Sequence, residues 1–493
     1  MVPPTHEWTP FPSSVVPGGA EGVRRRRDGA TEYDQAVRAA VEFLARSAGT
    51  VSRRLGRGGG TTLPGVVLLK LRADGTTDLA AELGHGAVHI SATNGKTTTT
   101  RMISSGLRAA NRPSVSNTAG ANLLSGVTSA LLATTEVERA GSVGLFEVDE
   151  AALPAVVKHA PPKVLTLMNL FRDQLDRYGE LETLVEIWRQ MITGLDPQTA
   201  LVLNADDPAI ASLGADRQNV VWFGVNDTSV ALAELGHAAD SVRCRICTTP
   251  LRYSQVTLGH LGRWSCPTGD ATRPTLDVAV TAIATDGLES QTLTITTPAG
   301  EITSTLSLPG VHNAYNAAAA TATLIALGVE PAAISAGLAA TDAAFGRAER
   351  VKVQGRDVVL MLAKNPTGAN TNIRTALTHP NPLHVLVMLN DRTADGQDVS
   401  WIWDVDYEPL LPRLAQLTVS GDRAWDMALR FRYAGVDDAA MHVHPDPAAA
   451  IDAAIDATPA GETLFVLPTY TSMLDLRAVL TARGLTAAFW EDQ

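Results

Sequence analysis

The hexapeptide Thr93-Asn94-Gly95-Lys96-Thr97-Thr98 constrains this chain more than any other stretch. Ahead of it, Ala87, Val88 and Ile90 form an apolar run that reads as a buried strand. Behind it, Met102, Ile103 and Leu107 fall at helical spacing. A strand that turns through Gly-Lys-Thr into a helix presents bare backbone N–H groups and one lysine to a phosphate. In that arrangement Lys96 neutralises charge on a transferring phosphoryl group, and the Thr97 hydroxyl holds Mg2+. Thr93, Asn94, Gly95 and Thr98 complete the loop expected to bind ATP. The general pattern also wants a glycine five residues before the Gly-Lys pair, which this sequence lacks, so a solvated strand-to-helix turn is the alternative.

From about Leu63 to Ala340, apolar strands alternate with helical patterns, the signature of a mostly parallel sheet covered by helices on both faces. Val143 to Glu150 is a strand ending in carboxylates. Strand carboxyl ends face the ligand crevice of an open α/β sheet, which places Glu147 beside Thr97 as a second Mg2+ ligand. Asp149 and Glu150 read more simply as helix-capping acids. Val164 to Asn169 is the next strand. Leu201 to Pro208 is a strand and turn, with Asn204 and Asp207 expected to contact the nucleotide.

The flanks suggest the remaining organisation. Residues 1–32, rich in Pro, Gly and charge and including Arg24 to Arg27, are expected to be a disordered extension; contact with an anionic membrane is the alternative. Tyr33 to Leu55 has the spacing of an amphipathic helix, and Gly58-Gly59-Gly60 closes this 33–62 region as a hinge. A central ATP-binding domain then spans 63–342, with a ribbon insertion at about 240–272, and a C-terminal α/β domain spans 343–493. A length of 493 residues fits two to three domains, and the net charge of −12 opposes a nucleic-acid partner. No apolar run reaches spanning length and the start lacks signal-peptide order, so a cytoplasmic protein is expected.

The chain has three cysteines, all in the ribbon: Cys244, Cys247 and Cys266. Cys-x-x-Cys is zinc-knuckle spacing, and a tetrahedral thiolate site needs four ligands. Cys266-Pro267-Thr268-Gly269 lacks the second cysteine of the other half. Either His260 or Asp270 completes a structural zinc site, or the site has been lost.

Thr93 to Thr98 resembles the nucleotide loop of the Mur ligase and folylpolyglutamate synthetase superfamily, with Ala92 where that loop usually has glycine. Asn169 to Gly179 resembles its Asn…Asp-His-Leu-Asp-x-His-Gly motif, with Gln174 and Tyr178 at the histidine positions. The following helix, Leu181 to Thr193, carries no lysine, so the carbamylated lysine of many Mur ligases is not expected. Gly310 to Asn316 matches Gly-x-His/Phe-Asn-x-x-Asn, which implies that Asn313 and Asn316 recognise adenine. Gly346-Arg347 stands where Mur ligases place an arginine near the γ-phosphate.

Further on, the stretches Leu362 to Gly368, Asn390 to Asp404, Ser420 to Arg430 and Leu467 to Thr471 resemble one family, MurT, the ligase-like subunits of lipid II isoglutaminyl synthases. The resemblance covers about residues 38 to 493. It implies ATP-dependent amidation, through an acyl phosphate, of the α-carboxyl of D-isoglutamate in the lipid II stem peptide at the inner membrane face. Lys96, Glu147 and Arg347 would serve catalysis. It also implies a four-cysteine zinc ribbon, from which this sequence departs.

A glutaminase of the usual type needs a nucleophilic cysteine, and all three cysteines lie in the ribbon. That agrees with the family's separate GatD-type glutaminase subunit. The resemblance further implies an acidic residue orienting the partner's catalytic histidine: Asp404 first, Asp398 second, with Trp401 and Trp403 as interface or core residues. An amino-acid-adding ligase of the Mur or folylpolyglutamate type is the runner-up. It should carry a larger N-terminal substrate domain than sixty residues allow. A non-catalytic ATP-binding scaffold is a third reading.

Overall fold

Two sheets divide the chain, and the crevice between them is formed by the carboxyl ends of their strands. The computed structural model describes residues 32–54, 62–117, 120–172, 181–341 and 347–486. Arg24 to Arg27, Gly58-Gly59-Gly60 and the motif residues Gln174 and Tyr178 lie outside the described residues.

The larger sheet contains β1 (Ala87–Ser91), β2 (Ser114–Ser116), β3 (Val143–Glu147), β4 (Pro162–Leu167), β5 (Ala200–Asn204) and β6 (Val220–Val225). A separate hairpin, β7 (Arg252–Leu258) with β8 (Leu261–Ser265), interrupts it before β9 (Val278–Asp286), β10 (Ser290–Thr297) and β11 (Gly300–Leu306). The order is β11-β10-β9-β6-β5-β4-β1-β3-β2. Pairings from β2 to β9 are parallel, and β9-β10-β11 is an antiparallel extension. Every residue of β1, β3 and β5 is buried, as expected for parallel strands covered on both faces.

Each face has its own core. On one, Met102 and Leu107 of the helix Lys96–Ala109 pack with the alanine-rich helix Val311–Ala326 and with Ile334 and Leu338 of the helix Pro331–Ala339. Small residues let these helices approach closely: a Cβ on Gly337 would lie 2.4 Å from Gly106 Cα. On the other face, Leu131, Val156 and Trp188 meet Leu68 and Leu79. The expected N-terminal helix runs Glu32–Arg54. Ala45 is buried, Arg38 bonds Glu42 and Glu82, and Phe43 and Leu44 face outward. No helix among the described residues is long and apolar enough to cross a membrane.

The smaller sheet has β12 (Arg347–Val353), β13 (Arg356–Met361), β14 (Leu383–Met388), β15 (Leu414–Ser420), β16 (Met441–Val443) and β17 (Thr463–Pro468), in the order β12-β13-β17-β14-β15-β16. It is parallel except at β12-β13. In the larger sheet β1 lies between β3 and β4. Connections diverge there, and such a switch point opens the crevice where ligands bind in α/β sheets.

His89, in the middle of β1, is fully buried with its ring 5.9 Å from that of Phe146. Nε2 donates to Ala160 O at 2.6 Å, and Nδ1 has no partner. Burial pushes the imidazole down to about 4 from 6.5. The unfolded chain therefore binds a proton that the fold refuses, so His89 costs nothing above pH 6.5 and destabilises progressively as the pH falls toward 4. The full penalty is about 3 kcal/mol. Urea midpoints measured from neutral to mildly acidic pH are expected to fall more steeply for the wild type than for His89→Gln, which retains a donor and cannot titrate.

Candidate active site

The loop after β1 is fixed by neighbours on both sides. Thr93 N donates to Asn169 O at 3.0 Å, and Asn94 N to Asn169 Oδ1 at 2.9 Å. Asn169 Nδ2 returns a bond to Asn94 O at 2.9 Å. The Thr93 hydroxyl accepts from Phe171 N and donates to Phe171 O. Gly95 has φ +95°, and a Cβ there would lie 2.1 Å from Asn316 Oδ1 and 3.0 Å from Met168 Cε, so both conformation and space require glycine. Ala92 is buried without a positive φ, so its side chain fits the loop without backbone strain.

Lys96 opens the helix and folds back over the loop. Its Nζ donates to Ala92 O and pairs with Glu150 Oε2 at 2.7 Å. Burial pushes the Glu150 carboxyl up, but Lys96, and then Lys364 from the second sheet, pull harder and hold it below the ordinary carboxylate range. Trp188 Nε1 fixes the Glu150 carbonyl at 3.0 Å. The capping role expected for Glu150 is therefore corrected: it is the counter-ion of the phosphate-loop lysine. Glu147 ends β3 in register with Ile90, and Asn117 bonds both its N–H and its C=O. Its buried carboxylate makes no hydrogen bond or ion pair with a described residue, nor does the half-buried Thr97 hydroxyl. An unpartnered carboxylate and hydroxyl on adjoining strand and helix ends fit a hard divalent cation.

The cleft beside Gly95 measures about 1050 Å3 with its open mouth, and both sheets contribute to it. Asn94, Asn313 and Asn316 line one side; Lys364, Thr367 and Gly368 line the other. Asn316 Nδ2 donates to Asn313 Oδ1, and Asn313 Nδ2 to Pro309 O, so the two amides present a linked edge. Arg347 begins β12 opposite Met361, another cleft residue. Thr98 is buried in the helix's first turn.

Asn204 and Asp207, the residues expected to contact the nucleotide, are engaged by backbone. Asn204 bonds Met168 O and Asp206 N, while Asp207 accepts from the N–H groups of Leu170, Ala209 and Ile210. Both are buried and committed to backbone, with neither lining the cleft, and their work is to hold the strand ends that carry the loop.

Contacts also join the sheets. Asn365 caps the helix Pro366–Leu377 through Gly368 N, and exchanges amide hydrogen bonds with Asn94. Arg374 reaches Thr257 O at 2.7 Å and Val230 O at 3.1 Å. Lys364 and Asn365 follow β13, so the strand-end rule that singled out Glu147 would have found them had it been applied to the C-terminal strands.

Asp404 ends a 3-10 turn, Ser400–Asp404, at the rim between the sheets, where its Oδ2 lies 3.4 Å from Arg172 Nη1. Asp398 instead accepts from Ser400 N at 2.8 Å; hydrogen bonding from Ser400 holds its carboxyl below the usual range. Buried Arg430 clamps the turn by donating to Ile402 O and Val405 O and pairing with Glu408. Trp401 packs partly into the core, whereas Trp403 is 45% exposed and stacks edge-on against Tyr433. Trp425, Leu429 and Tyr433, four residues apart on the helix Ala424–Ala434, are also exposed. With Trp403 they are the large exposed apolar side chains of the C-terminal sheet among the described residues.

The ribbon brings Cys244, Cys247, Cys266 and Asp270 together, with ligand atoms all within 4.8 Å of one another. Three thiols and one carboxylate at that separation fit tetrahedral zinc. His260 is elsewhere: buried against Phe171, accepting from Asp240 N and 3.3 Å from Asp207.

A parallel sheet with a phosphate loop at its switch point, closed by a second, smaller sheet, is the architecture of the Mur ligases. Solved structures bear this out at the level of fold. A pseudomurein peptide ligase from Methanothermus fervidus matches with TM-score 0.65 at 20% identity, covering 81% of this chain and 79% of that one. MurF from Thermotoga maritima, solved with ADP, matches with TM-score 0.60 at 16% identity, covering 85% of both chains. The sequence profile described as Mur ligase middle domain matches residues 90–266, and that described as MurT ligase C-terminal matches residues 362–473. The protein of Streptococcus pneumoniae named lipid II isoglutaminyl synthase (glutamine-hydrolyzing) subunit MurT is 30% identical over 90% of this chain and 97% of its own length. The Staphylococcus aureus protein of the same name is 31% identical over 80% of this chain and 87% of its own. This chain belongs to the MurT family.

Metal analysis of protein purified without chelator is expected to give one zinc per chain. Cys247→Ser should abolish it, and Asp270→Ala should weaken zinc retention in a chelator competition by at least about tenfold.

Proposed function

We propose that this chain is the ligase subunit of a glutamine-dependent lipid II isoglutaminyl synthase, an ATP-dependent carbon–nitrogen ligase of peptidoglycan synthesis. The observation that carries this reading is the 30% identity across 97% of the pneumococcal subunit so named, which spans both sheets and the crevice between them. The substrate carboxylate is the α-carboxyl of D-isoglutamate in the lipid II stem peptide. A lipid-linked substrate brings the protein to the inner membrane face.

The chemistry follows from a poor leaving group. Ammonia cannot expel an oxygen from a bare carboxylate, so that oxygen first attacks the γ-phosphorus of ATP, and ADP departs. The ammonia lone pair then attacks the acyl carbon, the C–O bond to phosphate breaks, and the excess proton goes to solvent. Lys96 neutralises the γ-phosphate when it exchanges Glu150 for phosphate oxygens, with Arg347 supplying charge from the second sheet. Thr97 and Glu147 would hold Mg2+, which spreads the developing negative charge. The backbone of Thr93 to Thr98 cradles the phosphates, and Asn313 and Asn316 meet the adenine edge.

Ammonia comes from a GatD-type glutaminase subunit; in support, the three cysteines of this chain are gathered in the ribbon and do not line the cleft. Asp404 orients the partner's catalytic histidine, fixing its tautomer. The ridge of Trp403, Trp425, Leu429 and Tyr433 beside Asp404 docks that partner. Aromatic side chains on a rigid helix lose little entropy on binding and make strong anchors.

Mass spectrometry of lipid II incubated with this chain, Mg-ATP and ammonium tests the synthetase chemistry. Replacement of one stem carboxyl by an amide is expected, and Lys96→Ala should reduce it at least about a hundredfold. An amino acid added to another acceptor, with no amidation, would favour a conventional Mur-type ligase. Calorimetric titration with the glutaminase subunit tests the docking surface. Trp425→Ala and Tyr433→Ala should each weaken binding at least about tenfold, and unchanged affinity for both would rule the ridge out.

A further inference from the structure

Arg172 joins two sites that the reaction keeps apart. It follows Phe171, whose N–H and C=O are both bonded to the Thr93 hydroxyl of the phosphate loop. Its own N–H and Nε both go to Asp240, a carboxylate only 6% exposed. That pairing directs the rest of the guanidinium across the gap between the sheets, where Nη1 lies 3.4 Å from Asp404 Oδ2. Among the described residues this is the only ion pair or hydrogen bond made by the Asp404 side chain. Asp404 is thereby held from the ligase side while its side chain stays 37% exposed at the rim.

We infer that Arg172 is a positioning residue for the glutamine half-reaction: it orients Asp404 toward the partner's histidine and ties that orientation to the phosphate loop. This rests on the reading of Asp404 given above. The physical basis is the shape of the guanidinium. Its planar fork serves two carboxylates in fixed directions, which a lysine cannot do. Because only Phe171 and Arg172 stand between Thr93 and Asp404, a nucleotide that shifts the loop reaches the acid through a contiguous path.

The test uses the complex of this chain with its glutaminase subunit, assayed with lipid II and Mg-ATP and with glutamine or ammonium as nitrogen source. Arg172→Met should lower glutamine-driven kcat at least about tenfold with little change in glutamine KM, because glutamine binds on the partner. Ammonium-driven amidation should stay within about twofold of wild type. Arg172→Lys, which keeps charge and can still meet Asp240, should recover part of the glutamine-driven rate. It also serves as the informative variant if Arg172→Met does not assemble, since a full glutamine-driven rate in Arg172→Lys would overturn the inference. If the path through Arg172 couples the two sites, adding nucleotide should raise glutamine hydrolysis in the wild-type complex and leave it unchanged in Arg172→Met; no response in the wild type would overturn the coupling.

Equal losses with both nitrogen sources would place Arg172 in the ligase site and overturn the proposal. Asp404→Asn, measured alongside, separates the two readings. If it loses glutamine-driven turnover while Arg172→Met does not, the role of Arg172 falls and that of Asp404 stands. If Asp404→Asn keeps glutamine-driven turnover, the reading of Asp404 fails and takes the coupling with it.

Discussion

Asn94 is bonded through every polar group it has, and the geometry of the candidate active site depends on it. Its N–H and C=O are matched by the two ends of the Asn169 amide, as a neighbouring strand would match them. Its own amide exchanges hydrogen bonds with Asn365, at the N-terminus of a helix from the other sheet. Each such bond contributes only about 1 kcal/mol net. Their joint effect is geometric: the phosphate loop, the end of β4 and the cap of the Pro366–Leu377 helix cannot move independently without leaving partly buried amides unsatisfied. A nucleotide bound at this loop therefore meets a site already assembled from both sheets.

The same loop carries an ion pair that the proposed reaction would have to break. Lys96 and Glu150 are 12% and 8% exposed, so each lost much of its hydration on folding. Removing one partner of such a pair leaves a charge in a poor solvent and costs several kcal/mol, whereas replacing it with another anion need not. A triphosphate is that anion. Glu150 does not lose all its support when Lys96 turns away, because Lys364 also acts on it. Lys364 belongs to the cleft wall contributed by the second sheet. The exchange of Glu150 for phosphate is thus least costly when the two sheets are together, which links closure of the cleft to charge balance within it.

Much of this was legible in the sequence, for reasons that can be named. Strand-loop-helix at Ala87 to Leu107 has a strong apolar period on both sides of a glycine that cannot be replaced, and the structure keeps all three parts. The helix Leu181–Thr193 and the carboxylate at the end of β3 follow from the same local rules. Pairings made across long separations were not legible. Nothing local tells Glu150 from its neighbour Asp149 as the partner of Lys96, because the choice is made by how β3 leaves the sheet and by Trp188 from a later helix. The backbone partners of Asn204 and Asp207 were hidden for a related reason: polar residues after a strand look available, yet here they bond the backbone at Met168, Leu170 and Ala209. The fourth ribbon ligand was undecided between His260 and Asp270 because both lie near in sequence. Packing takes His260 to Phe171 and leaves Asp270 beside the three cysteines.

That packing also gives the ribbon a place in the argument. His260 lies 4.6 Å from Phe171, the residue that straps the phosphate loop, and accepts from the N–H of Asp240, the carboxylate that aims Arg172. Arg273, just beyond β8, pairs with buried Asp206, which also accepts from the Tyr315 hydroxyl beneath the cleft. A two-stranded hairpin alone is barely stable in water. A metal held by Cys244, Cys247, Cys266 and Asp270 would lock the open end of this one, fixing His260 at its turn and Asp240 and Arg273 in the segments on either side. The ribbon can accordingly lie outside the chemistry and still decide how well it is aligned. Were zinc held there, Asp270 could complete its ligand set, because alignment requires only that the hairpin stay closed, not that the metal bind with the strength of four sulfurs.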